Sequence, residues 1–199
     1  MHVLTVLDHP DPSSFTAAAA KRFVAGAQAA GHSVELADLH AEQFDPRWTL
    51  DDIRCNEGAA ASPDVLREQA RIERADAICL AFPLFWWGMP AMMKGWTDRV
   101  WTWGWAYDQL DDPNLSAQRN RSGVLLVCAG ARSDEMAASG YTSALETAWI
   151  AGTFGYFGFA PRRLDILHGT TGSAERRAAL LDRAYHTGLT LPPPDPTAS

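Results

Sequence analysis

The 199-residue sequence has only three cysteines, Cys55, Cys79 and Cys128, widely spaced and without a C-x-x-C pair. This argues against a disulfide framework and against a cysteine-built metal or redox centre. Basic charge is in deficit, with 17 Lys and Arg against 24 Asp and Glu and a formal net charge of −7. A chain so acidic offers no electrostatic footprint for nucleic acid or an anionic membrane. Long apolar runs are missing too: none nears the ~18 residues of a membrane span. The opening MHVLTVLDHP has neither the basic start nor the long apolar stretch of a signal peptide. The expectation is a cytoplasmic protein with no membrane span, no nucleic-acid partner and no metal. There is no GxxxxGK[ST] and no GxGxxG after the first strand, which excludes a P-loop nucleotidase and an ordinary dinucleotide fold.

What is present is an ordinary globular composition, 47% apolar and 21% charged, in a chain of single-domain length. Apolar strand-like runs fall at 2–8, 33–39, 76–82, 122–130 and 162–169. Helical spacing follows at 15–30, from Pro63 after Ser62, from Pro90, over 141–157 and over 173–186. Strands alternating with helices predict an α/β fold with a parallel sheet covered on both faces. The folded unit is expected to span 1–186, with a proline-rich tail over 187–199.

In such a sheet, ligands bind beyond the carboxyl ends of the strands. Asp8 to Thr16 after the first strand opens a helix with Ser13, Ser14 and Thr16, an anion site by geometry to which His9 adds a donor. Plain helix capping by Ser13 or Ser14 explains the same residues. After the third strand comes PLFWWGMPAMMKGW, and six of the eight tryptophans fall between Trp86 and Trp105. Trp96, Trp101 and Trp149 lie on helical stretches and are expected in a core or interface. Trp86 and Trp87, on the loop, are read as a site for a planar ring. An anion site and a ring site together fit a flavin nucleotide.

His9-Pro-x-Pro-x-Ser14-Phe15, Phe44-Asp45-Pro46, Ser62-Pro63-Asp64 with Glu68-Gln69 and Ala75-Asp76, the whole block from Pro83 to Arg99, and Trp103 with Ala106-Tyr107 resemble the flavodoxin-fold NAD(P)H:quinone oxidoreductases, the DT-diaphorase-like family that includes potassium-efflux ancillary flavoproteins. The resemblance covers roughly residues 2 to 168. It implies a flavodoxin-like doubly wound sheet of five parallel strands in the order 2-1-3-4-5. It also implies two-electron reduction of a quinone or similar acceptor by ping-pong hydride transfer through flavin N5, with NADH or NADPH as donor. The family's flavin phosphate site falls here to His9, Ser14, Phe15 and Thr16. The ring edge falls to Pro83, Leu84, Phe85, Trp86 and Trp87, and the closing loop to Gly130 and Ala131. Trp103, Trp105 and Tyr107 match the acceptor pocket, and a homodimer with flavin at the interface follows. The Ser62-Pro63-Asp64 helix favours FAD, with FMN as the alternative.

Two departures matter. The family's threonine-glycine-glycine loop is Cys128-Ala129-Gly130-Ala131 here, and the tyrosine and histidine that follow it in many members are replaced by RSDEMAASGYTSALE, without histidine. Tyr141 is the one phenol available for a catalytic role. A flavoprotein regulatory or electron-carrier subunit binding a partner protein is the alternative function. A phosphoacceptor role for Asp8 lacks an acidic cluster.

Overall fold

A computed structural model describes residues 1–107 and 121–195. The last four residues of the expected tail lie outside them. Strands β1 (His2–Leu7), β2 (Ser33–Asp38), β3 (Ala77–Pro83), β4 (Ser122–Ala129) and β5 (Arg162–His168) form one sheet in the order β2-β1-β3-β4-β5. All four pairings are parallel, as the alternation predicted. Register keeps like faces together: Val6 lies opposite Ala37 and Leu80, and Leu80 opposite Leu125. Every residue of β3 and β4 is buried. Both faces of the central strands are covered, so their sequences run continuously apolar instead of alternating.

Leu4, Val6, Ile78, Leu80, Phe82, Leu125 and Val127 supply one face of the core. They pack against Met93, Trp96, Trp101 and Phe154. The alternate residues Val3, Leu7, Cys79, Val124 and Leu126 face Ala19, Ala20 and Phe23 of α1 (Phe15–Ala29) and Ala184 of α7 (Ala174–Leu189). Those two helices touch backbone to backbone. A Cβ at Gly26 would lie 1.9 Å from the Tyr185 carbonyl oxygen, and one at Gly188 would lie 2.1 Å from that of Phe23. α7 carries the fold through Leu189, past the expected boundary at 186, and Pro192 accepts a hydrogen bond from the Ser122 hydroxyl (2.7 Å).

Between β2 and the helix from Pro63, where the sequence predicted no element, lies α2 (Leu50–Asn56). Its signal is short but present: Thr49 and Asp52 form a reciprocal capping box. The helix predicted over 141–157 is α6 (Tyr141–Leu145) running into a π-helix, Glu146–Phe154, and α5 (Ser133–Ala138) precedes it. Apolar spacing does not separate a π from an α turn. The wider turn lets the Thr153 hydroxyl donate to the Ala148 carbonyl, five residues back (3.1 Å).

Helices α3 (Pro63–Arg74) and α4 (Ala91–Val100) meet the α2 segment at Arg99, which is 5% exposed. Its guanidinium donates to Asp52 (3.0 Å), Asp64 (2.7 Å), the Asp45 carbonyl (2.6 Å) and Ser62 Oγ (3.2 Å), and stands 5.4 Å from the Phe44 ring centroid. Ser62 is the N-cap of α3 by position, but its hydroxyl donates to Asp64 and makes no cap bond. A turn away on α4, Gly95 lets Pro46 approach, since a Cβ there would lie 2.2 Å from the Pro46 carbonyl oxygen. Burial opposes ionisation of Asp64, but hydrogen bonds from Arg99 and Ser62 outweigh it and hold the carboxyl below its ordinary 3.8.

Removing one partner of a buried ion pair leaves the other uncompensated, which costs about 3–5 kcal/mol. Arg99→Met is expected to lower unfolding free energy by about that amount in urea titration. Because the folded pKa of Asp64 is depressed, its contribution is present above the ordinary 3.8 and is lost as pH falls below it. The variant's stability should therefore fall less steeply than the parent's below that pH.

Candidate functional site

Four loops leave the carboxyl edge of the sheet. After β1, the Asp11 carboxylate accepts from the Ser13 N–H (2.8 Å) and hydroxyl (2.6 Å), and these bonds lower its pKa. The Asp11 N–H donates to His9 Nδ1 (3.0 Å), so neutral His9 carries its proton on Nε2 and presents it as a donor. Ser14 is the N-cap of α1: its oxygen accepts from the Ala17 N–H (3.1 Å), leaving the O–H free to donate. Phe15 is half-buried under the Arg177 guanidinium, 5.7 Å from its ring centroid. Thr16 is buried with its side chain bonded to the Cys128 thiol, so its backbone N–H is what it offers the edge. Burial pushes that thiol up to about 12. These residues lie on one loop at the carboxyl edge, and Ser14 and Thr16 spend part of their side-chain chemistry internally.

After β3, the Leu84 N–H donates to the Cys128 carbonyl (2.8 Å). Phe85 and Gly88 exchange both backbone hydrogen bonds (3.1 and 3.0 Å), closing a two-residue turn over Trp86 and Trp87. Both tryptophans are in the left-handed region, φ 48° and 62°. That pair of conformations is the type I′ turn, ordinarily filled by Asn-Gly. A bulky residue held there costs about 1–3 kcal/mol. Burial does not offset it at Trp86, which is 97% exposed, and Trp87 is 40% exposed. Trp87 stacks on Tyr141, with ring centroids 3.8 Å apart and planes 6° from parallel. Packing therefore does not account for a strained backbone that presents its indole to solvent at Trp86. The N–H groups of Trp86 and Trp87 take no part in the Phe85–Gly88 pair, and they flank a flat aromatic surface. Backbone donors beside a ring face, on the same sheet edge as a helix N-terminus, fit the polar rim, ring and phosphate of a flavin nucleotide.

The loop after β4 is held from β5: the Gly169 N–H donates to the Ala129 and Ala131 carbonyls (2.8 and 3.0 Å). Gly130 is exposed, with the Thr171 methyl as the nearest atom to a Cβ there, at 3.8 Å. Beside these loops a cavity of about 940 Å³ opens between α4 and the π-helix, lined in part by Met89, Lys94, Trp101, Tyr107, Trp149 and Tyr156. Burial and then Tyr156 raise the Tyr107 phenol pKa. Trp103 and Trp105 do not line this cavity. Trp105 donates its indole N–H to Glu73 on α3 (2.9 Å), and the Trp103 backbone N–H donates to Asn56 (3.0 Å). Trp48 and Tyr156 do line it and were missed. Their signal was faint: Trp48 stands apart from the aromatic cluster, and Tyr156 sits in a run, FGYFGF, that reads as core. Among the described residues, no group of three or more His, Cys, Asp or Glu side chains could hold a metal ion. No helix among them is long and apolar enough to cross a membrane.

Five parallel strands in the order 2-1-3-4-5, with their connecting loops gathered at the carboxyl ends, define the flavodoxin-like class of doubly wound α/β proteins. The chain belongs to the flavodoxin-like fold family, whose model matches residues 1–187. Among solved structures it is similar to the NAD(P)H:quinone oxidoreductase of Methanothermobacter marburgensis, at 30% identity and TM-score 0.86 over 96% of each chain. An NAD(P)H oxidoreductase of Haemophilus influenzae is 30% identical over 79% of each chain. The guinea-pig (Cavia porcellus) NAD(P)H dehydrogenase [quinone] 1 is 34% identical over 64% of this chain, which spans only 52% of that enzyme's length.

Asn accepts the left-handed conformation and the Trp86 side chain packs on nothing. Trp86→Asn is therefore expected to raise unfolding free energy by about 0.5–1 kcal/mol, measured on flavin-free protein.

Proposed function

We infer that the chain is a flavin-dependent NAD(P)H oxidoreductase that reduces a quinone or similar aromatic acceptor by two electrons in a ping-pong cycle. The observation that carries this reading is the strained, exposed Trp86–Trp87 turn standing on the same sheet edge as the α1 N-terminus. The names of the similar proteins support it. A flavin held there would supply the hydride-accepting and electron-donating chemistry that links nicotinamide to acceptor.

The chain's own residues bind and orient. His9 Nε2, the Ser14 hydroxyl and the first backbone N–H groups of α1, at Phe15 and Thr16, hold the phosphate. Pro83, Leu84, Phe85, Trp86 and Trp87 hold the ring edge and one face, and backbone donors of Gly130 and Ala131 close the opposite rim, where negative charge collects on reduction. Tyr141, stacked on Trp87, borders the ring site as the available phenol. Tyr107 belongs to the acceptor pocket with the cavity aromatics; Trp103, bridged to Tyr107 through the backbone, and Trp105, bonded to Glu73, flank it. A second copy of the chain covers the cavity and the neighbouring exposed Trp48 and Tyr156, because apolar surface of that extent is seldom left bare. FAD is favoured over FMN on the resemblance alone. The side chains carrying that likeness, Asp64, Glu68 and Gln69, are engaged with Arg99, Trp96 and the Val100 carbonyl.

Purified protein is expected to release a flavin on denaturation whose mass identifies it, and to oxidise NADH or NADPH only when a soluble quinone is supplied. Flavin-loaded protein without acceptor-dependent turnover points to the carrier or regulatory subunit instead. Trp86→Ala should weaken flavin binding by about tenfold, the scale of one lost stacking contact, without lowering stability. A loss of stability with flavin affinity intact returns the tryptophans to the fold.

A further inference from the structure

β1 ends on a carboxylate that the cap of α1 does not use. Asp8 is 1% exposed, and its backbone N–H is tied to the Ala81 carbonyl of β3 (3.0 Å). Its side chain spans three segments: Oδ2 accepts the backbone N–H of Met93 in α4 (2.7 Å), and Oδ1 meets Nε2 of His40, from the loop after β2 (2.8 Å). α4 lacks a cap of its own. Its N-cap residue is Pro90, which makes no side-chain cap bond, and helix N-termini without an acceptor lose stability. A buried carboxylate is tolerated when paired and hydrogen-bonded; Met93 and His40 together provide this. Only Gly88, Met89 and Pro90 separate α4 from the Trp86–Trp87 turn. The turn is therefore held on one side by the Leu84–Cys128 bond and on the other by Asp8.

We propose that Asp8, oriented by His40, is a positioning residue for the ring site: it caps α4 from a different loop and thereby fixes the aromatic turn relative to the phosphate loop that Asp8 itself precedes. The proposal rests on the flavin reading above. One side chain then sets the spacing between the two halves of the site, which a purely local cap on α4 would leave adjustable.

The test uses the full chain with Asp8→Leu, Asp8→Asn and His40→Leu. Affinity for riboflavin, which has the ring without phosphate, and for FMN is read by fluorescence quenching; amide exchange over 84–93 is read in flavin-free protein. Asp8→Leu is expected to weaken riboflavin and FMN by the same factor, about tenfold, the scale of a lost cap. His40→Leu weakens both to a smaller extent. Asp8→Asn keeps an acceptor for Met93 and restores both affinities together with the visible circular dichroism of the bound ring, a rescue that general destabilisation does not produce. Met93 exchanges faster in Asp8→Leu. Weakening or tightening confined to FMN means that the carboxylate acts by charge on the phosphate and overturns the proposal, as does unchanged exchange at Met93. Should Asp8→Leu not fold, His40→Leu carries the same comparison. If the parent protein binds neither riboflavin nor FMN, the flavin reading falls, and Met93 exchange alone decides whether Asp8 holds the turn.

Discussion

A single buried guanidinium organises the side of the molecule on which the site is built. Arg99 sits near the end of α4, yet among the described residues every hydrogen bond of its guanidinium runs to the 45–64 segment, which buries little apolar surface of its own. Without that charge, Asp52 and Asp64 would be carboxylates turned inward with no counter-ion, and α2 would lack its main attachment. Arg99 and the aromatic turn lie toward opposite ends of α4, so one helix joins the 45–64 segment to the carboxyl edge of the sheet. A second inward-facing acid, Glu68, fastens the middle of that helix through the Trp96 indole N–H (3.1 Å) and is itself neutralised by Arg71 (3.0 Å).

Against this rigid background the Trp86–Trp87 turn stands out as the place where local preference and structure disagree. Sequences that fold well agree with their structures at every level, and the exceptions concentrate at sites of function. Here the disagreement is double: the backbone conformation suits Asn and Gly, and the side chain suits a core.

The sheet was fully legible. Five apolar runs separated by helical spacing dictate a parallel sheet, and the order follows from the resemblance at Pro83–Arg99. The loops at the carboxyl edge were legible for the same reason, since topology alone selects them. Individual roles within them were less so. Ser14 and Thr16 look alike in sequence as hydroxyls at a helix start, but the helix phase turns Thr16 inward toward Cys128. Phe44-Asp45-Pro46 and Ser62-Pro63-Asp64 read as marks of a functional family, and in the structure they are the partners of Arg99 and Gly95, a packing unit. The cavity residues Trp48 and Tyr156 are brought together from segments far apart in the chain, with no shared periodicity to announce it. The π-helix was invisible because the extra residue in its turn leaves the apolar count unchanged.

The glycine contact between α1 and α7 bears on how the protein reaches this state. Gly26 and Gly188 interlock the first and last helices, and the Arg22–Asp182 pair beside them joins residues 160 positions apart. β1 and α1, which flank the loop carrying His9 and Ser14, thus have one side that is covered only once α7 is in place. Long-range closure of this kind slows folding, so the cover of α1 waits on a helix that lies 160 positions further along at the Arg22–Asp182 pair.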